Sequence, residues 1–245
     1  MREELRRILF VHKCVGCNKI LEEKEFNEAF CEKCKKKYLL AKMDICPECA
    51  LPAEECGCKP ILLKKDNIIS LRKLFFYRVD KAYEPQNKLV YFLKRRKSKR
   101  VLCALAKDLS QLLKNELERY DSIDTPVIVS VPRSKSAIGK HGFDHAALIC
   151  KELSKVSKIE YLEILKRRRG GKAQKKLTAG ERRKNISNLI YTDADAKTQI
   201  SGRCVLLFDD VVTTGASMSA CVSALKKCGA ENIICFAIAS DIKSS

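Results

Sequence analysis

The stretch Val205-Leu206-Leu207-Phe208-Asp209-Asp210-Val211-Val212-Thr213-Thr214-Gly215-Ala216-Ser217 decides the fold. Four apolar residues run into two adjacent carboxylates, then into a Thr/Gly/Ser loop, then into an amphipathic helical pattern. This reads as a buried parallel strand whose carboxyl end presents Asp209 and Asp210, followed by a tight turn into a helix N-terminus. Backbone N–H groups, hydroxyls and the positive end of the helix dipole converge there and make an anion site. Acids beside a phosphate cradle suit a ligand that carries both cis-hydroxyls and a phosphate, such as a ribose 5-phosphate. The plain alternative is a buried strand closed by a polar turn, but paired acids at a buried strand end need compensation. The segment has neither G-x-x-x-x-G-K-[ST] nor G-x-G-x-x-G, so it fits neither an NTPase P-loop nor a dinucleotide fingerprint.

The pattern resembles the phosphoribosyl-pyrophosphate (PRPP) motif of the type I phosphoribosyltransferases. The resemblance implies that Asp209 and Asp210 hold the ribose hydroxyls, with Mg²⁺ accompanying PRPP. Val212, Thr213, Thr214, Gly215, Ala216 and Ser217 are then the 5′-phosphate loop.

Outward from that motif the chain alternates strand and helix. Strand character covers 67–77, 126–132, 159–165, 204–208 and 233–239; helical periodicity covers 87–94, 101–117, 144–156 and 217–228. Such alternation predicts an α/β fold: a doubly wound parallel sheet with ligands at the carboxyl ends of its strands. Two further strand-end segments are expected at the same crevice. One begins Val131-Pro132-Arg133-Ser134-Lys135-Ser136 and continues through His141-Gly142-Phe143-Asp144-His145. The other, 165–186, is a basic loop with Gly170-Gly171, too long for a plain connector and suited to closing over a pyrophosphate. His141 and His145 are read mainly as surface or phosphate-contact residues, because stabilising a leaving pyrophosphate needs no general base.

Eight of the fourteen cysteines lie in the first sixty residues. Cys14-x2-Cys17 and Cys31-x2-Cys34 form one set; Cys46-x2-Cys49 and Cys56-x-Cys58 form a tighter one. Zn²⁺ takes four thiolates in a tetrahedron, and a C-x-x-C turn supplies two of them. Two structural zinc sites in series account for all eight, in a double zinc-ribbon module over 1–62 ahead of the main domain over 63–245. Interleaved pairing of the knuckles is compatible with the same spacings, and the single residue between Cys56 and Cys58 makes the second site the less regular. The remaining cysteines sit among apolar neighbours and read as small core residues in a reducing, cytoplasmic compartment. No apolar run approaches the ~18 residues of a membrane span, and the N-terminus lacks a signal-peptide core.

Of the 245 residues, 46% are hydrophobic, enough for a real core, while the formal charge is +19. Lys88–Arg100 holds seven basic residues and no acid, and Lys166–Lys184 holds ten basic residues against Glu181 alone. Either run alone can be a solvated face. Two runs beside a nucleotide-like pocket point to a polyanion, with Lys94, Arg95, Arg96, Lys97, Arg167, Arg168, Arg169, Arg182 and Arg183 as the contacts. Aromatics near the first run (Phe75, Phe76, Tyr77, Tyr83, Tyr91, Phe92) suit either the core or stacking on single strands.

The order of cysteine module, Y-x-x-x-x-K-L-V-x-x-L-K (83–94), V-P segment, G-F motif, Q-x-x-L-T-x-x-E-R-R-x-N-I (174–186) and D-D-V-V-T-T-G-A-S resembles the ComF family across nearly the whole chain. The resemblance implies a ComFC-like competence protein with a phosphoribosyltransferase fold. It also implies handling of incoming single-stranded DNA on the cytoplasmic side, beside a helicase-like partner. The chain departs from the family pattern where arginines are customary: Ala137 and His141 occupy those positions, and Asp144 replaces an Asn. The ribose and 5′-phosphate half is intact and the pyrophosphate half is altered, with Arg133 and Lys135 as compensating cations. Two further readings stand beside the binding one. One is an active phosphoribosyltransferase on a base, nucleotide or nucleic-acid acceptor; the other is a zinc and DNA interaction module with a vestigial pocket.

Overall fold

The computed structural model describes residues 11–241 apart from 79, 81, 121, 122, 124 and 169–188. Five strands form a parallel sheet: β1 (Ser70–Tyr77), β2 (Val127–Ser130), β3 (Glu160–Leu162), β6 (Val205–Val212) and β7 (Ile233–Asp241), in the order β1-β7-β6-β2-β3. A separate antiparallel pair, β4 (Leu165–Arg167) with β5 (Ile190–Thr192), brackets the undescribed basic segment. The span read as a basic loop from 165 therefore begins in strand β4, its remainder from 169 lying outside the described residues, and the strand expected over 159–165 is two short ones. Three-residue strands are too short to show a period in the sequence.

The helices are α1 (Glu32–Lys42), α2 (Pro85–Arg95), α3 (Lys99–Leu117), α4 (Lys135–His141), α5 (His145–Ser157), α6 (Ala196–Ile200) and α7 (Ala216–Lys227). Their starts follow ordinary capping chemistry. Pro85 opens α2, Ser98 caps α3, and Asp144 caps α5 by accepting from the Ala147 N–H at 3.1 Å.

Both faces of the sheet are buried, as a parallel sheet requires. Leu206, Phe208, Ile234 and Phe236 face α2, α3 and α5, while Val205, Leu207, Ile233 and Cys235 face α7 and α6. The first core also takes in Cys14, Phe30 and Tyr38, so the first cysteine segment packs onto the main domain. Polar clasps reinforce the seam. The Tyr38 hydroxyl donates to Asp108 at 2.7 Å, and the Lys42 ammonium, nearly buried, pairs with Asp108 at 3.4 Å and Glu54 at 3.2 Å. Arg72 on β1 pairs with the buried Glu116 of α3 at 2.6 Å and also donates to the Glu55 carbonyl. The edge strand β1 is thus covered by the second cysteine segment rather than left open to another strand.

Candidate functional site

Strand β6 extends through Val212, so Asp209 and Asp210 lie within its carboxyl half rather than beyond its end. Neighbouring strand residues point to opposite faces, and the two acids meet different surroundings. Asp210 Oδ2 accepts from His145 Nε2 at 2.6 Å and pairs with the Lys94 ammonium at 3.3 Å. The guanidinium of Arg133 also contacts the His145 ring, at both of its nitrogens. His145 is the first residue of α5 and its side chain is 1% exposed. It is therefore a buried partner of Asp210, not the surface histidine that the sequence reading allowed for. Lys94 sits at the last turn of α2 and belongs structurally to the acids, although its sequence neighbours suggest the polyanion face.

Electrostatics separate the two carboxyls. Burial, and then the adjacent Asp210 charge, push Asp209 well above the usual carboxylate range. Burial acts on Asp210 in the same direction. The His145 hydrogen bond and the Lys94 charge outweigh it and hold Asp210 well below its ordinary value. The surroundings thus drive the two carboxyls in opposite directions, Asp210 towards the ionised form and Asp209 towards the protonated one.

Past Val212, Gly215 takes the left-handed conformation at φ 79° and ends the loop as the N-cap of α7. Its cap residue, Gly215, has no side chain to offer; the Thr214 hydroxyl accepts from the Ala216 N–H at 3.5 Å, and the positive end of the helix faces the loop. A Cβ on Gly215 would lie 2.8 Å from Leu63 Cγ, a second reason for glycine. Thr213 is exposed, Thr214 and Ser217 are partly so, and Val212, Gly215 and Ala216 are buried beneath them.

After β2, Ser134 caps α4 by accepting from the Ala137 N–H at 3.2 Å. Lys135 is exposed. Burial, together with Lys140, Arg133, His145 and Arg95, holds the pKa of His141 below its usual value. Lys97 lies over the Phe143 ring at 5.1 Å. Cations from the end of α2 thus stand beside the segment where the ComF pattern has arginines. Arg95, Arg96 and Lys97 are exposed next to it, and Tyr91, under Arg95 at 5.7 Å, is exposed as well. Phe75 and Phe76 are buried core, whereas Tyr83 is largely exposed. On the hairpin Arg167 is half-buried, and Arg168 is exposed over the Tyr191 ring at 5.2 Å. Arg169, Arg182 and Arg183 lie outside the described residues.

The cysteines assemble as two groups, Cys14/Cys17/Cys31/Cys34 and Cys46/Cys49/Cys56/Cys58, each with its ligand atoms within 4.8 Å of one another. A tetrahedron of Zn–S bonds near 2.3 Å has sulfur–sulfur edges of about 3.8 Å, and Cys17 and Cys31 stand 3.7 Å apart. The donor sets fit zinc, and the knuckles pair in series, not interleaved. Gly16 lets the first knuckle close on Cys34, whose Sγ would meet a Cβ there at 2.8 Å. Elsewhere, burial pushes the thiols of Cys150, Cys221 and Cys235 well up, and that of Cys204 up to about 11, as inert core cysteines require.

Residues 104–244 match the family described as "Phosphoribosyl transferase domain". The chain belongs to that family. Among curated proteins it is 32% identical to "Competence protein F" of Haemophilus influenzae over 51% of this chain and 55% of that protein, about half the relative's length. It is 28% identical to "DNA utilization protein YhgH" of Escherichia coli O157:H7 over 77% of this chain and 81% of that one. Relatives with these names and this domain support its place among the ComF proteins. Among solved structures it is similar to phosphoribosylpyrophosphate synthetase from Mycobacterium smegmatis (14% identity, 53% of this chain, 33% of that one, TM-score 0.34). It is also similar to glutamine PRPP amidotransferase from B. subtilis (15% identity, 66% and 29%, TM-score 0.36). At these TM-scores the likeness is remote and adds nothing to the family match. Among the described residues no helix is long and apolar enough to cross a membrane.

Proposed function

We propose that this protein is a competence-related factor, acting in DNA uptake on the cytoplasmic side, that binds PRPP with Mg²⁺ and contacts single-stranded DNA. The observation that carries the PRPP reading is the junction of β6 and α7. Two acids of opposed protonation tendency stand one loop away from the glycine-capped N-terminus of α7. Asp209 and Asp210 serve the ribose hydroxyls, and Val212 to Ser217 enclose the 5′-phosphate. Arg133, Ser134 and Lys135 approach the pyrophosphate side. The carboxylates are hard oxygen donors of the kind that share Mg²⁺ with substrate phosphates. That ion would supply charge neutralisation at the pyrophosphate.

The role in DNA uptake rests on the relatives named for competence and DNA utilization. The DNA contact rests on the exposed Arg95, Arg96, Lys97 and Arg168 with neighbouring exposed aromatics, and extends to Arg167, Arg169, Arg182 and Arg183. The module boundary at 62/63, structural zinc in both cysteine clusters and a competence helicase as partner belong to the same proposal. Transformation in a strain carrying Asp209→Asn with Asp210→Asn tests it. Loss of transformation with folded protein supports the reading, and full transformation by protein unable to bind PRPP would show that the pocket has no role.

The placement of Arg133 against His145, beside the acids, favours turnover as a second reading. An active transferase would release pyrophosphate from PRPP when its acceptor is supplied. No release across bases, nucleotides and oligonucleotides would leave binding without catalysis.

A further inference from the structure

The two cysteine centres differ in what the fold sets against them. Lys73 lies mid-strand in β1 and is 1% exposed. Its ammonium donates to Cys56 Sγ at 3.2 Å, to the Cys56 carbonyl at 2.9 Å and to the Cys58 carbonyl at 3.4 Å, and it stands 5.5 Å from the Phe76 ring centroid. Among the described residues no carboxylate forms a direct ion pair with it; Glu48, paired with Lys64 at 2.9 Å, acts on it only through longer-range charge attraction, and Asp241 lines the adjoining cavity. At the first centre the nearby cations behave differently. Lys88 donates to the Gly16 carbonyl at 2.7 Å and Arg100 to the Lys13 carbonyl at 3.0 Å, and among the described residues no side-chain cation donates to a sulfur.

A buried ammonium is strongly disfavoured unless a counter-charge and hydrogen bonds meet it. Four thiolates around a divalent cation leave a net double negative charge, itself disfavoured when buried. Each is the other's remedy, and the N–H···S contact brings them together. We propose that Lys73 is the charge partner of the Cys46/Cys49/Cys56/Cys58 metal centre, so that this centre, unlike the first, depends on the sheet of the phosphoribosyltransferase domain to keep its metal. Lys73 is a positioning residue here and not a ligand. It pairs across the sheet with Ala237, which in turn pairs with Asp209, so the second centre and the acid pair share one cross-strand row. The proposal rests on the zinc reading of the cysteine clusters.

The test is metal content and release on the full chain. Zinc-loaded wild type, Lys73→Met and Lys73→Arg are assayed by elemental analysis and by transfer to a chromogenic chelator. Wild type is expected to carry two equivalents. In Lys73→Met one equivalent should leave as in wild type and the other faster, in keeping with the about 10- to 100-fold loss of metal affinity on removing a ligand's partner. Lys73→Arg, which keeps the cation, should retain both. Wild-type release of both equivalents from Lys73→Met would overturn the proposal, as would equal loss in the two variants. Fewer than two equivalents in wild type would overturn the zinc reading itself. Should Lys73→Met fail to fold, wild type loaded with NMR-active cadmium decides. A correlation between one lysine ammonium and one of the two metals is expected, and no such correlation would overturn the assignment.

Discussion

Asp209 and Asp210 are adjacent in sequence, yet replacing them should have opposite effects on stability. Asp210 gains its ionised form from His145 and Lys94. A carboxylate with a lowered pKa stabilises the fold above its ordinary value of 3.8 and loses that contribution as pH falls. Asp210→Asn should therefore cost about 2 kcal/mol at neutral pH, the scale of a charged hydrogen bond. Asp209 is raised instead, so its burial opposes folding increasingly as pH climbs above 3.8. Asp209→Asn should raise the neutral-pH melting midpoint by about 2–4 °C per kcal/mol relieved, and the gain should shrink in acid. Thermal unfolding across pH measures both, and matching signs for the two variants would refute this division of charge. The acids themselves were legible in the sequence because their strand and loop are contiguous. His145 and Lys94 were not, since they reach Asp210 from separate helices and only the folded sheet brings them to it. The one local hint was Asp144-His145, a helix cap followed by a titratable first residue.

The β6–α7 element works because one glycine meets two demands. Gly215 supplies a left-handed turn and leaves room for Leu63. Gly215→Ala should destabilise the protein by more than the ~1 kcal/mol of conformational strain alone, because the added methyl also meets a fully buried leucine. It should also weaken binding of any 5′-phosphate ligand. Partial recovery of the melting midpoint in Gly215→Ala with Leu63→Ala would separate the clash from the strain. Most strands and long helices were readable at this scale, since buried parallel strands and amphipathic helices carry strong periods. The short elements were missed for physical reasons. Helix α1 is rich in Lys and carries no clear apolar stripe, α4 is seven residues of mixed character, and β4 and β5 gain their pairing only from one another.

Across the whole molecule, buried polar clasps join both cysteine segments to the sheet domain. Removing metal should therefore destabilise more than the N-terminal segment. A strong chelator should lower the melting midpoint of the entire protein in one transition, and an unchanged main transition would show the cysteine segment to be an independent appendage. Binding of single-stranded oligonucleotides should weaken with salt. Replacing Arg95, Arg96 and Lys97 by Gln should flatten the log–log salt slope by about 2, at roughly 0.7 per phosphate contact. An unchanged slope would remove the α2 end from the nucleic-acid surface. The central claim is that the acid pair and the α7 N-terminus form a working PRPP pocket. Its most direct test is calorimetric titration of PRPP with Mg²⁺ into wild type and into the Asp209→Asn/Asp210→Asn variant. The account predicts saturable binding to wild type and none to the folded variant. Absence of binding to wild type, or equal binding to both, would contradict it.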